Sequence, residues 1–455
     1  MRKFQKIIIT LQSFLAAISM QSAQAEDLFT VYQHAKESDP QVRSAEAGYL
    51  ATLEKGPQAL ADFKPKVTLS GNARYTAGRN WSDIRSVNAS TGGASYSLNL
   101  TQPLYRPQVK ERIIQTNFLI AQSESALIAE QQNLVLRVSE AYFSYLQARD
   151  AAELARAEAD AIDRQNTQIT AYFEAGRSAI TDVQESKARN AEAKSNVVVA
   201  DQNVEIALEG LYSLTARDYK VLRGASDQTP LVVPKPDDLN AWANEAANNN
   251  PQVISAQFAV DIALKTIDIA RAGKKPTVDL FADTGANASF ARAGADSQSI
   301  DASVGVQFNM TLYDAGKADA AIREARYKFH QAIQAVEVQR RAAVRQTRTF
   351  FLNIKTGQTQ LDALKRSWRA SQTAAKATQE GFRAGTRTAV DVILSIRETY
   401  RAQRNYSSAR YNFLLNSIRL KQAAGILSER DLQALSRIMN KSRTTRQAPI
   451  TNKKK

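Results

Sequence analysis

The chain repeats itself. Asp39-Pro40-Gln41-Val42-Arg43-Ser44-Ala45 returns as Asn250-Pro251-Gln252-Val253-Ile254-Ser255-Ala256, and Lys64-Pro65-Lys66-Val67 as Lys275-Pro276-Thr277-Val278, both 211 residues later. An offset of 208 carries Leu104-Tyr105 onto Leu312-Tyr313 and Tyr142-Phe143 onto Phe350-Phe351. At 209, Phe173-Glu174-Ala175-Gly176 maps onto Phe382-Arg383-Ala384-Gly385 and Asp182-Val183 onto Asp391-Val392. Order and spacing survive together, so one unit of secondary structure occurs twice. The first copy spans 26–229 and the second 230–427, with Pro230, Pro234 and Pro236 at the junction.

Each copy predicts two strands, at about 66–76 and 95–105, then 277–288 and 300–312. Val67, Leu69, Gly71 and Ala73 alternate with Thr68, Ser70, Asn72 and Arg74; Ala302, Val304, Val306, Phe308 and Met310 alternate strictly with polar neighbours. Such period-two patterning gives one apolar face, and about ten residues is the length of a tilted membrane strand. The stretch from Val278 to Asp283 alternates less cleanly. Polar, Gly/Ser/Asn-rich stretches near 77–94 and 287–300 are expected as exposed loops.

The remainder reads as helix. No proline falls between Pro107 and Pro230 or between Pro276 and Pro449. A helix is predicted from about 107 to 175, broken at Gly176, with a return near 181–216. Leu134, Ala141, Ala148, Ala155 and Ile162 face Val183, Asn190, Val197 and Val204 in heptad spacing, the mark of a closely packed antiparallel coiled coil. The outgoing helix is about 100 Å long, and the return about 54 Å. A short helix over 28–62, kinked at Gly56-Pro57, fills the difference.

Composition excludes most chemistry. Cysteine is absent and histidine occurs only at His34 and His330, leaving no material for a thiolate metal site or a serine–histidine triad. No cofactor, no metal and no enzymatic activity are expected. The net charge of +15 is concentrated at the ends, in Arg2, Lys3 and Lys6 and in a run from Arg437 to Lys455, so no nucleic-acid partner is expected. Residues 428–455 read as a basic, disordered tail. Residues 1–25 combine a basic start, an apolar stretch and a close in Ala23-Gln24-Ala25, the pattern of a cleaved signal peptide. Any membrane insertion must then use strands. Four strands cannot close a barrel, whose minimum is about eight, so copies of the chain must combine. Two copies would fill the interior with side chains, whereas three give twelve strands and a water-filled lumen. The competing reading is a trimeric membrane-anchored coiled-coil adhesive protein.

The residues resemble the TolC-type outer-membrane efflux proteins, the outer-membrane factor family. The resemblance rests on Glu26-Asp27-Leu28 with Val31-Tyr32, the Asp39-Pro40 and Asn250-Pro251 pair, both Ala-Gly turns, and Gly385-Thr386-Arg387-Thr388-Ala389-Val390-Asp391-Val392. It covers the chain to about residue 427. It implies a mainly α fold: a homotrimer with a twelve-stranded transmembrane β-barrel continued by a long α-helical periplasmic tunnel. The implied role is an exit duct in the outer membrane of a Gram-negative bacterium, fed by a periplasmic adaptor and an inner-membrane pump of the RND or ABC type. By motif position it makes Arg387 the basic member of a gate, with Thr181 and Asp182 as partners. Phe382 stands where the family often has a hydrogen-bonding tyrosine. Asp391 matches the first of two aspartates ringing the constriction, and Leu394 replaces the second. Asp182 and Asp391 also suit a first helical turn on electrostatic grounds alone.

Overall fold

The computed structural model describes residues 26–81, 86–224, 230, 233–291 and 296–444. The expected signal peptide lies outside them. Helices α1 (Leu28–Ser38), α2 (Pro40–Leu53) and α3 (Lys55–Ala61) precede strands β1 (Lys66–Trp81) and β2 (Ser86–Tyr105), then α4 (Pro107–Glu174) and α5 (Ile180–Thr215). The second copy runs α6 (Leu239–Asn249), α7 (Pro251–Ala272), β3 (Thr277–Ala291), β4 (Ser297–Asn309), α8 (Lys317–Arg383) and α9 (Ala389–Ala423), and α10 (Glu429–Thr444) follows.

Equivalent residues start equivalent helices. Asp27 caps α1 by accepting from Thr30 N at 2.9 Å, and Asp238, 211 residues on, caps α6 from Asn240 N at 2.8 Å. Pro40 and Pro251 open the next helices, where a missing N–H costs nothing. The single helix expected over 28–62 is divided here, and again at Glu54, two residues before the expected kink at Gly56-Pro57, which gives three helices. Asp39 is extended at ψ 120°, because a residue before proline avoids helical geometry.

Among the described residues two compact units form, and neither is a repeat: one draws on residues between 26 and 44, 128 and 250, and 340 and 444, the other on residues between 45 and 127 and between 251 and 339. Each draws on both copies. The second unit holds an antiparallel sheet in the order β1-β2-β3-β4, with β1 and β4 as its free edges. Its exposed apolar residues are the alternating set, including Leu69 at 74%, Ile300 at 84% and Val304 at 76% exposed. Phe281 disturbs the alternation for a local reason. It pairs with Gly305, and its ring lies where a β-carbon at Gly305 would be, 2.7 Å away. Glycine there admits the ring.

The strands outrun their expected ends. β1 pairs with β2 from Lys66↔Thr101 to Trp81↔Ser86, so most of the expected loop 77–94 is ladder; β3 and β4 likewise consume much of 287–300. The extended ladder is rich in small and polar residues such as Ser90, Thr91, Gly92 and Gly93, so the alternation fades while the backbone pairing continues. β4 ends at Asn309, three residues early.

In the helical unit, Leu28, Val31 and Tyr32 of α1 pack with Leu134, Val138 and Tyr142 of α4 and with Tyr411 and Leu415 of α9. Trp242 of α6 packs correspondingly with Phe351, Ile354 and Leu420. The expected disordered tail is helical over 429–444. Ser428 N and Oγ both reach Asp431 at 2.9 Å to start α10, and Leu432 and Met439 are buried. Its basic residues mask an amphipathic helix. Glu429 accepts from the Tyr32 hydroxyl at 3.0 Å, tying α10 to α1.

Candidate functional site: the paired helical turns

The two turns that end the long helices share one geometry. Gly176 and Gly385 take positive φ of 72° and 76°. At the first, Arg177 N donates to Tyr172 O at 2.7 Å and Gly176 N to Phe173 O at 2.9 Å; at the second, Thr386 N donates to Gly381 O at 2.8 Å and Gly385 N to Phe382 O at 3.0 Å. Both are Schellman closures, which need a residue free to enter the left-handed region. No neighbour lies within 4 Å of a β-carbon at either glycine, so conformation and not space demands glycine.

The return helices begin with carboxylates. Thr388 caps α9: its Oγ accepts from Asp391 N at 3.2 Å, and Asp391 Oδ2 accepts from Thr388 N at 3.0 Å. The Thr388 amide and hydroxyl, and then the charge of Arg387, hold the Asp391 carboxyl below the usual range. At α5 the reciprocal half is missing, because Ala179 has no side-chain oxygen. Asp182 Oδ2 takes Ser178 Oγ at 2.9 Å and reaches the Ala179 amide at 3.4 Å.

The turns lie at one end of the helical unit, sealed by an apolar cluster. Ile162, Ile169 and Val183 from the first copy bury against Ala389 and Ile393 from the second, with Phe382 packed on them. The Phe382 ring meets Tyr172 at 5.6 Å between centroids, and the Arg177 guanidinium sits over the same Tyr172 ring, 4.8 Å from its centroid. Next to this cluster the α4–α5 seam turns polar. Asn190 donates to Asp163 at 2.7 Å, while the buried Ser186 Oγ and Gln165 Nε2 have no partner among the described residues.

Thus the structure brings Phe382, the two glycines and the starts of α5 and α9 together. Thr181 and Asp182 stand in the first turn of α5, with Thr181 exposed. Within the chain the Asp182 carboxylate serves its own helix start, and the stem of Arg387 lies against Gly381. Leu394 is 48% exposed, one turn past Asp391. Sequence reasoning missed Tyr172 and Arg177. Their contacts span 210 residues for the ring pair, and no local spacing signals them.

A family model described as "Outer membrane efflux protein" matches residues 31–217 and again 242–426. The chain belongs to this family. The two matched stretches reproduce the duplication. Outer membrane protein TolC of Escherichia coli (strain K12) is 32% identical over 98% of this chain and 91% of its own length. The alkaline protease secretion protein AprF of Pseudomonas aeruginosa is 28% identical over 90% of this chain and 88% of its own. Among solved structures, CusC superposes with a TM-score of 0.73 at 16% identity, covering 88% of this chain and 92% of its own. As a family member the protein is an outer-membrane exit duct of the efflux and type I secretion class, with strands in the outer membrane and helices in the periplasm of a Gram-negative cell.

Proposed function

We propose that three copies close a twelve-stranded barrel and helical tunnel, and that this duct passively conducts drugs or secreted proteins delivered by a periplasmic adaptor and an inner-membrane pump. The observation that carries the reading is the four-stranded sheet with two free edges and an exposed apolar face. Left open in lipid, those edges would strand backbone donors and acceptors. A cyclic trimer pairs β1 of one copy with β4 of the next and leaves none. In detergent the protein should run at about 150 kDa, three times the 50.1 kDa chain.

The paired turns form the periplasmic gate. Arg387 is its basic member and reaches the first-turn hydroxyl and carboxylate of Thr181 and Asp182 in a neighbouring copy; Asp391 rings the constriction. Phe382 supplies apolar packing on Tyr172 in place of a hydrogen bond. Arg387→Ala combined with Asp182→Ala is expected to raise single-channel conductance in planar bilayers. Unchanged conductance in a correctly trimeric variant would remove the lock.

A further inference from the structure

The two copies of the repeat have diverged in charge. Long helix α4 carries six Lys/Arg against ten Asp/Glu, whereas its counterpart α8 carries fourteen against five. The return helices follow suit: α5 has three basic and six acidic residues, α9 six and two. Inside the chain, where α9 meets the first copy, this polarity is already used. Arg419 reaches Glu140 at 2.7 Å, Arg404 reaches Glu158 at 2.8 Å, and Arg397 reaches Glu192 at 3.0 Å. In these three pairs the base comes from the second copy and the acid from the first.

The duplication supplies the missing half of the pattern. The offset of 208 carries Glu140 onto Arg348 and Glu158 onto Arg366, reversing both charges. The offset of 209 carries Arg419 onto Gly210, beside Glu209. Arg348 and Glu209 are both exposed in the single chain, and so are the nearby apolar side chains of Leu352 at 53% and Tyr212 at 44%. Depth agrees as well. Glu140 lies 34 residues before the end of α4 and Arg419 30 past the start of α9; Arg348 lies 35 before the end of α8 and Glu209 29 past the start of α5.

We infer that the seam between neighbouring copies repeats the seam inside each chain with its charges exchanged, so that Arg348 on α8 of one copy pairs with Glu209 on α5 of the next. This rests on the trimer reading above. The exchange sets specificity. Pairing two α8 faces would oppose Arg348 with Arg348, and pairing two α5 faces would oppose Glu209 with Glu209, so like charges reject both. Only head-to-tail alternation joins opposite charges at every seam, which is the condition for a closed ring.

The sequence contains no cysteine, which makes the test clean. With Arg348→Cys and Glu209→Cys together, a short bifunctional thiol crosslinker should convert the detergent-solubilised protein to covalent trimer; each single variant should give none. Separately, Arg348→Glu should lower the temperature at which the trimer dissociates by several degrees, and Arg348→Glu with Glu209→Arg should restore it. Trimeric protein that fails to crosslink, or that crosslinks Arg348→Cys to a different polypeptide, overturns the inference. So does a folded exchange variant no more stable than the single reversal. A wild-type chain that is monomeric in detergent removes the trimer reading itself, and the seam with it.

Discussion

At the residue scale, single side chains at the turns do two jobs that substitution can separate. Gly385→Ala forces a β-carbon into the left-handed region without any clash, so it should cost about 1 kcal/mol in thermal unfolding and leave conductance unaltered. Asp391 both caps α9 and, in the proposed constriction, supplies charge. Asn keeps a hydrogen-bonding side chain at that place and loses only the charge. Asp391→Asn is therefore expected to abolish most of the cation selectivity and the block by hexamminecobalt, and Leu394→Asp to strengthen the block. Within the chain Thr388 and Arg387 hold this carboxyl below the ordinary range, so it is ionised at neutral pH, and block in the wild type should be full at about pH 7 and weaken in acid as the carboxylates are protonated. Selectivity untouched in Asp391→Asn would leave Asp391 a helix cap alone.

At the element scale, the decisive contact is the buried Asp39, which closes α1 and opens α2. Its carboxylate accepts from Arg137 on α4 at 2.8 and 3.1 Å and from Val42 N at 2.9 Å. Burial pushes this carboxyl upward, but Arg137 and the Val42 amide outweigh it and leave it below its ordinary value. A carboxyl lowered by folding contributes stability above its unfolded value, near pH 4, and loses it as the pH falls through the folded value. Arg137→Ala leaves Asp39 buried and uncompensated, so it should cost about 3 kcal/mol at neutral pH, with the deficit shrinking in acid. Urea unfolding of both proteins at pH 7 and at about pH 3, below the ordinary carboxyl value, measures this; an equal deficit at both would refute it. This ion pair was not legible in the sequence, since 98 residues separate its members. What was legible is local or periodic: the heptads of α4 and α5, the Ala-Gly turns, the membrane-length alternation. Helix α10 is hidden in the sequence because its many charges mask the apolar face that carries Leu432 and Met439. The strand extensions are hidden because stretches of small and polar residues such as Ser90-Thr91-Gly92-Gly93 carry no apolar period to read.

At the scale of the whole molecule, the repeat describes the gene more than the folded object. Both compact units interleave segments of the two copies, and the core of the helical unit joins α1 and α4 to α9. Residues 26–229 expressed alone should consequently be degraded readily by protease, and co-expression with 230–455 should restore a protected assembly. A protease-resistant, helical first half would contradict this. The doubling also has a consequence for counting. In the proposed ring, three duplicated chains would present six junctions of nearly equal shape but two opposite electrical polarities. A partner that recognises shape would saturate at six per ring, and one that recognises charge at three, so the binding stoichiometry of the proposed periplasmic adaptor would report which feature it reads.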